Sequence, residues 1–144
     1  IITLEGPKGQ FILQTDSTRP SLFLAYGHAF APMQSLIEHA IALDTTESLH
    51  LYWLTTPEEG HYLNNLCRSW ADALENFQYT AMTVEKGNNI QMEQALARIM
   101  EEYALILSEF EVYVAGPESF VTLAKTALQQ QHLPETQGHF SVAG

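Results

Sequence analysis

Ser21-Leu-Phe-Leu-Ala-Tyr-Gly-His-Ala-Phe-Ala-Pro32 is the stretch on which the fold turns. Leu22-Phe-Leu-Ala25 is a short apolar run and reads as a buried strand. Tyr26-Gly27 breaks it. Pro32 then opens a pattern in which Met33, Leu36, Ile37, Ala40 and Ile41 recur at helical spacing. Proline suits a first helical turn, where its missing N–H costs nothing. Strand, tight turn and helix N-terminus, in that order, form the local geometry that receives phosphate in an open α/β sheet.

The same unit recurs downstream. Leu49-His-Leu-Tyr-Trp-Leu54 is rich in strand-favouring residues. After the loop Thr55-Thr-Pro-Glu-Glu-Gly60, the residues Tyr62, Leu63, Leu66, Trp70, Ala73 and Leu74 mark a second helix that Asn76 ends. Phe77 to Val84 reads as a third strand, and Glu85-Lys-Gly-Asn-Asn89 as a turn. Ile90, Leu96, Ile99, Met100 and Tyr103 give a third helix. Glu111-Val-Tyr-Val-Ala115 is a fourth strand, broken by Gly116-Pro117, and Phe120, Val121, Ala124, Ala127 and Leu128 form a fourth helix. Gly138 to Val142 completes the alternation as a fifth strand.

Such alternation implies parallel strands joined by crossover helices. The expectation is an α/β fold: a doubly wound five-stranded parallel sheet in the order 3-2-1-4-5, with helices on both faces. The ligand crevice then lies at the C-terminal ends of strands one and four, where the winding reverses. The loops there run over residues 26–31 and 115–119.

Composition narrows the class. A chain of 144 residues suits one domain with a full core. The formal net charge is -11, with six Lys and Arg, which argues against nucleic acid and anionic membranes as partners. Any bound phosphate must be held mainly by backbone N–H groups. No apolar run approaches the ~20 residues of a membrane span, and the start lacks the basic and apolar regions of a signal peptide. A cytoplasmic setting fits. The single Cys67 leaves no internal disulfide and reads as a structural thiol. Six histidines are scattered with no i,i+4 pair, which speaks against a metal site. Glu58, Glu59, Glu101 and Glu102 read as solvated helix faces. No Gly-x-Ser-x-Gly elbow surrounds Ser21, Ser35 or Ser119, which weighs against an α/β-hydrolase.

Ala25-Tyr-Gly-His-Ala-Phe-Ala-Pro32 resembles the Ala-Gly-Gly-Thr-Gly-x-Ala-Pro loop of the ferredoxin reductase-like flavoenzymes, in their C-terminal nicotinamide-nucleotide domain. Val112-Tyr-Val-Ala-Gly-Pro117 is similar to that family's Val-Tyr-x-Cys-Gly-Pro. Leu51-Tyr-Trp53, Pro57-Glu-Glu59, Tyr62-Leu63, Asn76-Phe-Gln-Tyr79 and Leu133-Pro-Glu135 resemble further segments in the family's order, so the resemblance spans essentially the whole chain. Gly6-Pro-Lys-Gly9 with Phe11-Ile-Leu13 resembles the segment that closes the family's flavin-binding barrel. The residues alone also allow a plain hairpin there, from Ile1-Ile-Thr-Leu4 and Gln10-Phe-Ile-Leu13.

The resemblance implies a division at residue 18. Residues 1–18 are then the tail or linker of a missing FAD-binding barrel, with Ile1 to Leu13 expected to pack loosely, and 19–144 the NAD-binding domain of a longer protein. It implies hydride transfer between a nicotinamide and FAD held by that missing domain, an electron acceptor beyond it, and often an iron–sulfur cluster elsewhere. The residues implied to line the cofactor site are Tyr26, Gly27, His28, Ala29, Phe30 and Pro32 in the first loop, Thr55 after strand two, and Ala115, Gly116 and Pro117 in the second loop. No residue of this segment is implied to be catalytic.

The departures are as informative as the matches. Tyr26 and Ala29 stand where the family has glycine, which phosphate approach favours for its lack of Cβ and its freedom at positive φ. The Tyr26 ring could fill the phosphate volume or turn away from it. His28 stands in the Thr place, as a phosphate donor or a solvated loop side chain. Ala115 replaces the Cys near the nicotinamide. Ser141 and Ala143 stand where an acid and an aromatic are usual. Thr55-Thr56 and Glu58-Glu59 supply no cation for a 2′-phosphate, which favours NAD(H) over NADP(H). The alternative is a degenerate, non-catalytic domain of the same fold with a structural or partner-binding role.

Overall fold

A computed structural model describes residues 11–142. Five parallel strands form one sheet: β1 (Ser21–Tyr26), β2 (Leu49–Thr55), β3 (Phe77–Thr83), β4 (Glu111–Gly116) and β5 (Gly138–Val142). Their order is β3-β2-β1-β4-β5, as expected. Strand β1 sits at the centre, with Phe23 opposite Leu51 on one side and Tyr113 on the other. A central parallel strand is covered on both faces, which is why Leu22, Phe23, Leu24 and Ala25 are all apolar and buried.

Side-chain alternation divides β1 between two layers. Leu22 and Leu24 face α3 (Asn89–Tyr103) and α4 (Glu118–Gln130), packing with Ile99, Val112, Val114 and Phe120. Phe23 and Ala25 face α1 (Phe30–Leu43) and α2 (Asn64–Ala73), packing with Ile37, Leu51, Trp53 and Tyr113. Cys67 is buried in this second layer, and burial pushes its thiol up to about 12, as befits a structural residue.

Several boundaries differ from the sequence reading. Helix α1 begins at Phe30, so Pro32 lies within the first turn rather than opening it. Tyr62 and Leu63 precede α2, which starts at Asn64 and ends at Ala73; Leu74 takes an extended conformation that stops it before Asn76. Residues 11–13 form no strand. Leu13 is nonetheless only 8% exposed, packed in the α1/α2 layer, and Phe11 meets Tyr113 edge-on at 6.3 Å. Within 11–13, Leu13 is buried, Phe11 is half-buried and Ile12 is exposed, so Leu13 is what anchors this short segment. Ile1 to Gln10 and Ala143 lie outside the described residues.

Behind the α3 face runs a polar chain. Ser48 Oγ meets His50 Nε2 at 3.0 Å, His50 Nδ1 meets the Tyr103 hydroxyl at 2.9 Å, and Tyr52 bridges Tyr103 to the Glu102 carboxylate as donor. Glu102 is thus an acceptor in a network rather than a purely solvated group. Burial holds His50 below its ordinary value, against a smaller opposing pull from Gln78 and Glu102. A depressed histidine stays neutral when folded but protonates when unfolded below about pH 6.5. Its contribution is complete above that pH and is lost as pH falls through the folded value. We expect the melting temperature to drop between pH 7 and 5, with a shallower drop in His50→Asn. Parallel pH profiles in the two proteins would remove His50 from this role.

Candidate functional site

The site is built where β1 and β4 end together and their loops diverge. Gly27 follows Tyr26 at φ +62°, a left-handed conformation that glycine adopts without strain. Residues Gly27–Ala29 make one 3-10 turn that runs straight into α1. The first turn of α1 carries no side-chain cap and no acidic residue, and the Phe30 N–H is taken by the carbonyl of Gly27 in the preceding 3-10 turn. Pro32 removes a further donor from that first turn.

Three aromatic contacts fix the loop from beneath. Trp53 Nε1–H donates to the Gly27 carbonyl at 3.0 Å. The Trp53 ring stacks on Phe30 with centroids 4.2 Å apart and planes at 10°. His61 Nε2–H donates to the Trp53 carbonyl at 2.9 Å, holding the end of β2. Trp53 is fully buried, so this is a rigid floor.

Tyr26, the last residue of β1, is half-buried. Its ring packs on Phe120 of α4, 5.4 Å between centroids. Burial, reinforced by the Glu59 carboxylate, raises its phenol above the ordinary value. Gly116 faces the same pair: an added Cβ would stand 2.7 Å from Phe120 Cδ2 and 3.0 Å from Tyr26 Cβ. Glycine is therefore required there by close approach, and Pro117 follows in an extended conformation before α4.

The expected site residues separate by what they can offer. His28 is exposed, with its ring 5.4 Å from that of Tyr62. Pro32 is exposed, while Tyr26 and Pro117 are half-buried. Gly27 and Gly116 contribute backbone. Ala29, Phe30, Thr55 and Ala115 are buried, so their side chains belong to the core. Ala29 ends the 3-10 turn at φ -69°, a conformation that does not call for glycine. The first and second loops stand side by side at the ends of β1 and β4 and present backbone more than side chains.

Glu59 is a correction. It lies in the turn after β2, not on a helix face. Gly60, at φ +65°, donates its N–H to the Thr56 carbonyl at 2.9 Å and closes that turn. Trp53, Phe120 and Tyr62 were missed as site residues, since nothing in their spacing distinguishes a floor from any other core.

Comparison with known proteins gives a consistent result. Residues 23–126 match the family model described as "Oxidoreductase NAD-binding domain". The chain is 28% identical over 140 residues to CDP-6-deoxy-L-threo-D-glycero-4-hexulose-3-dehydrase reductase of Yersinia pestis, covering 95% of this chain and 41% of that protein. It is 24% identical over 144 residues to NAD(P)H-flavin reductase of Vibrio harveyi, covering 99% of this chain and 60% of that protein. Among solved structures, ferredoxin-NADP+ reductase from Plasmodium falciparum superposes with a TM-score of 0.72 at 17% identity, over 91% of this chain and 55% of that one. The chain therefore spans only part of each of these relatives. Among the described residues no helix is long and apolar enough to cross a membrane.

Proposed function

From the premise that this chain belongs to the oxidoreductase NAD-binding domain family, we propose that it holds NAD(H) in the crevice between its first and second loops. Hydride would then pass between the nicotinamide and an FAD carried by a further domain of the same protein. The observation that carries this reading is Gly27 at φ +62°, set between the end of β1 and the 3-10 turn that leads into α1. That arrangement fits a pyrophosphate: a position without Cβ, backbone donors, and a positive helix end.

Roles follow for this chain's own residues. Gly27 gives backbone access, and the amides at the start of α1 would hold the phosphates. His28, exposed beside them, is placed to donate. Trp53 and Phe30 fix the loop, and Gly116 keeps the second loop close to the first. The nicotinamide and flavin supply the redox chemistry; the chain supplies position and electrostatics. NAD(H) is preferred to NADP(H) because Thr55, Thr56, Glu58 and Glu59 follow β2 where a 2′-phosphate would need a cation. A cytoplasmic setting, an electron acceptor outside the domain and an iron–sulfur cluster elsewhere in the full protein belong to the same proposal.

A second reading is favoured by one observation. Ala115, in the place where the resembled family carries Cys, is buried and non-polar, so this loop brings no side chain to the nicotinamide. A non-catalytic domain of the same fold would look like this. Calorimetric titration with NADH separates the two. We expect binding near millimolar, because the loop has one glycine where the family has three, and because the net charge of -11 repels an anionic ligand. The triple variant Tyr26→Gly, His28→Thr, Ala29→Gly is expected to bind roughly tenfold tighter, about 1.4 kcal/mol. Absence of binding in both proteins would favour the non-catalytic domain.

A further inference from the structure

The turn Thr55-Thr-Pro-Glu-Glu-Gly60 folds back toward the first loop. Pro57 ends the strand, the Thr56 hydroxyl accepts the Glu59 N–H at 3.3 Å, and Gly60 closes the turn. Glu59 is thereby carried over Gly27. Its Oε1 stands 3.5 Å from Thr55 Oγ1 and 2.7 Å from the point that a Cβ on Gly27 would occupy. The space opened by the missing side chain of Gly27 is taken by a carboxylate. No cation among the described residues pairs with Glu59: the ion pairs found there, from Arg19 and His139, both go to Glu111.

We propose that Glu59 is a specificity-determining residue, an anionic gate over Gly27 that disfavours phosphate-bearing ligands and leaves the nucleoside part of a ligand largely unaffected. The inference rests on the nucleotide-site reading above and adds a cause of weak binding that is separate from the lost glycines. A phosphate approaching the Gly27 backbone must displace the carboxylate or accept repulsion at short range. A neutral nucleoside meets neither demand. The side chain is exposed, and one long hydrogen bond from Thr55 holds its end, so the gate sets affinity without closing the site.

The test is equilibrium titration of ADP, NADH and adenosine into the 144-residue chain and its Glu59→Gln variant. The variant is expected to bind ADP and NADH about tenfold more tightly, with adenosine changed by less than about twofold. Its melting temperature should stay close to that of the parent, because Glu59 is exposed. Unchanged ADP affinity would overturn the gate and leave the nucleotide site standing. Weaker binding of ADP and adenosine alike would overturn it in another way, by making Glu59 an acceptor for ribose hydroxyls. Failure of all three ligands to bind either protein would overturn both the gate and the site itself.

Discussion

Trp53→Ala is expected to destabilise the domain by about 3–5 kcal/mol, the range for removing a large buried aromatic. Three losses combine. The ring is fully buried in the α1/α2 layer and stacks on Phe30 at 4.2 Å. Tyr62 meets it edge-on at 5.3 Å, tying the segment before α2 to the floor. The Nε1–H bond to the Gly27 carbonyl also disappears, leaving that buried acceptor with the Phe30 N–H alone. Trp53→Phe separates these terms. It keeps most of the apolar volume and loses the donor, so a cost of about 1–3 kcal/mol is expected. Urea denaturation of both variants measures it. A Trp53→Ala cost under about 1 kcal/mol would mean that the loop does not depend on this floor.

The order of the sheet was legible because each strand carries its burial in its composition. Leu22 to Ala25 is apolar at every position, as only a strand covered on both faces can be. The β3 run Phe77-Gln-Tyr-Thr-Ala-Met-Thr83 is more mixed and more exposed, as suits an edge strand. Alternation with helices then left few topologies.

The site was legible only in outline. The turn at Gly27 and the start of α1 follow from local chemistry, and both were readable. Which way Tyr26 turns depends on Phe120, ninety-four residues away in sequence (120 less 26), and on the missing side chain of Gly116. No local pattern encodes such a contact. The loop at residues 55–60 is legible as such, but its carboxylates read only as solvated, because no local pattern says where Glu59 points. Gly60 and the Thr56 hydroxyl, by closing the turn, send the Glu59 carboxylate to Gly27. Residues 11–13 misled for a different reason. Strand propensity is present in Phe11-Ile-Leu13, but the side chains of Phe11 and Leu13 pack in the layer of Tyr113.

Phe120→Ala is expected to cost about 3–5 kcal/mol as well, and it bears directly on whether Tyr26 leaves the phosphate volume free. Phe120 is fully buried between α4 and the sheet, with the Tyr26 ring tilted against it at 39°. If that pair holds Tyr26 aside, the two side chains must be energetically coupled. A double-mutant cycle with Tyr26→Ala should return an interaction of about 0.5–1.5 kcal/mol, the usual value of an aromatic pair beyond its buried area. Phe120→Leu supplies a control that stays folded. It preserves apolar volume at a cost under about 1.5 kcal/mol while removing the ring partner. Released from its stack, Tyr26 gains access to the space above Gly27, so NADH should bind more weakly to Phe120→Leu than to the parent. The same substitution made in a Tyr26→Ala background should leave NADH binding unchanged, because no ring remains to swing. Additive stabilities within about 0.3 kcal/mol would show that Tyr26 is not held by Phe120, and the open loop would then need another cause.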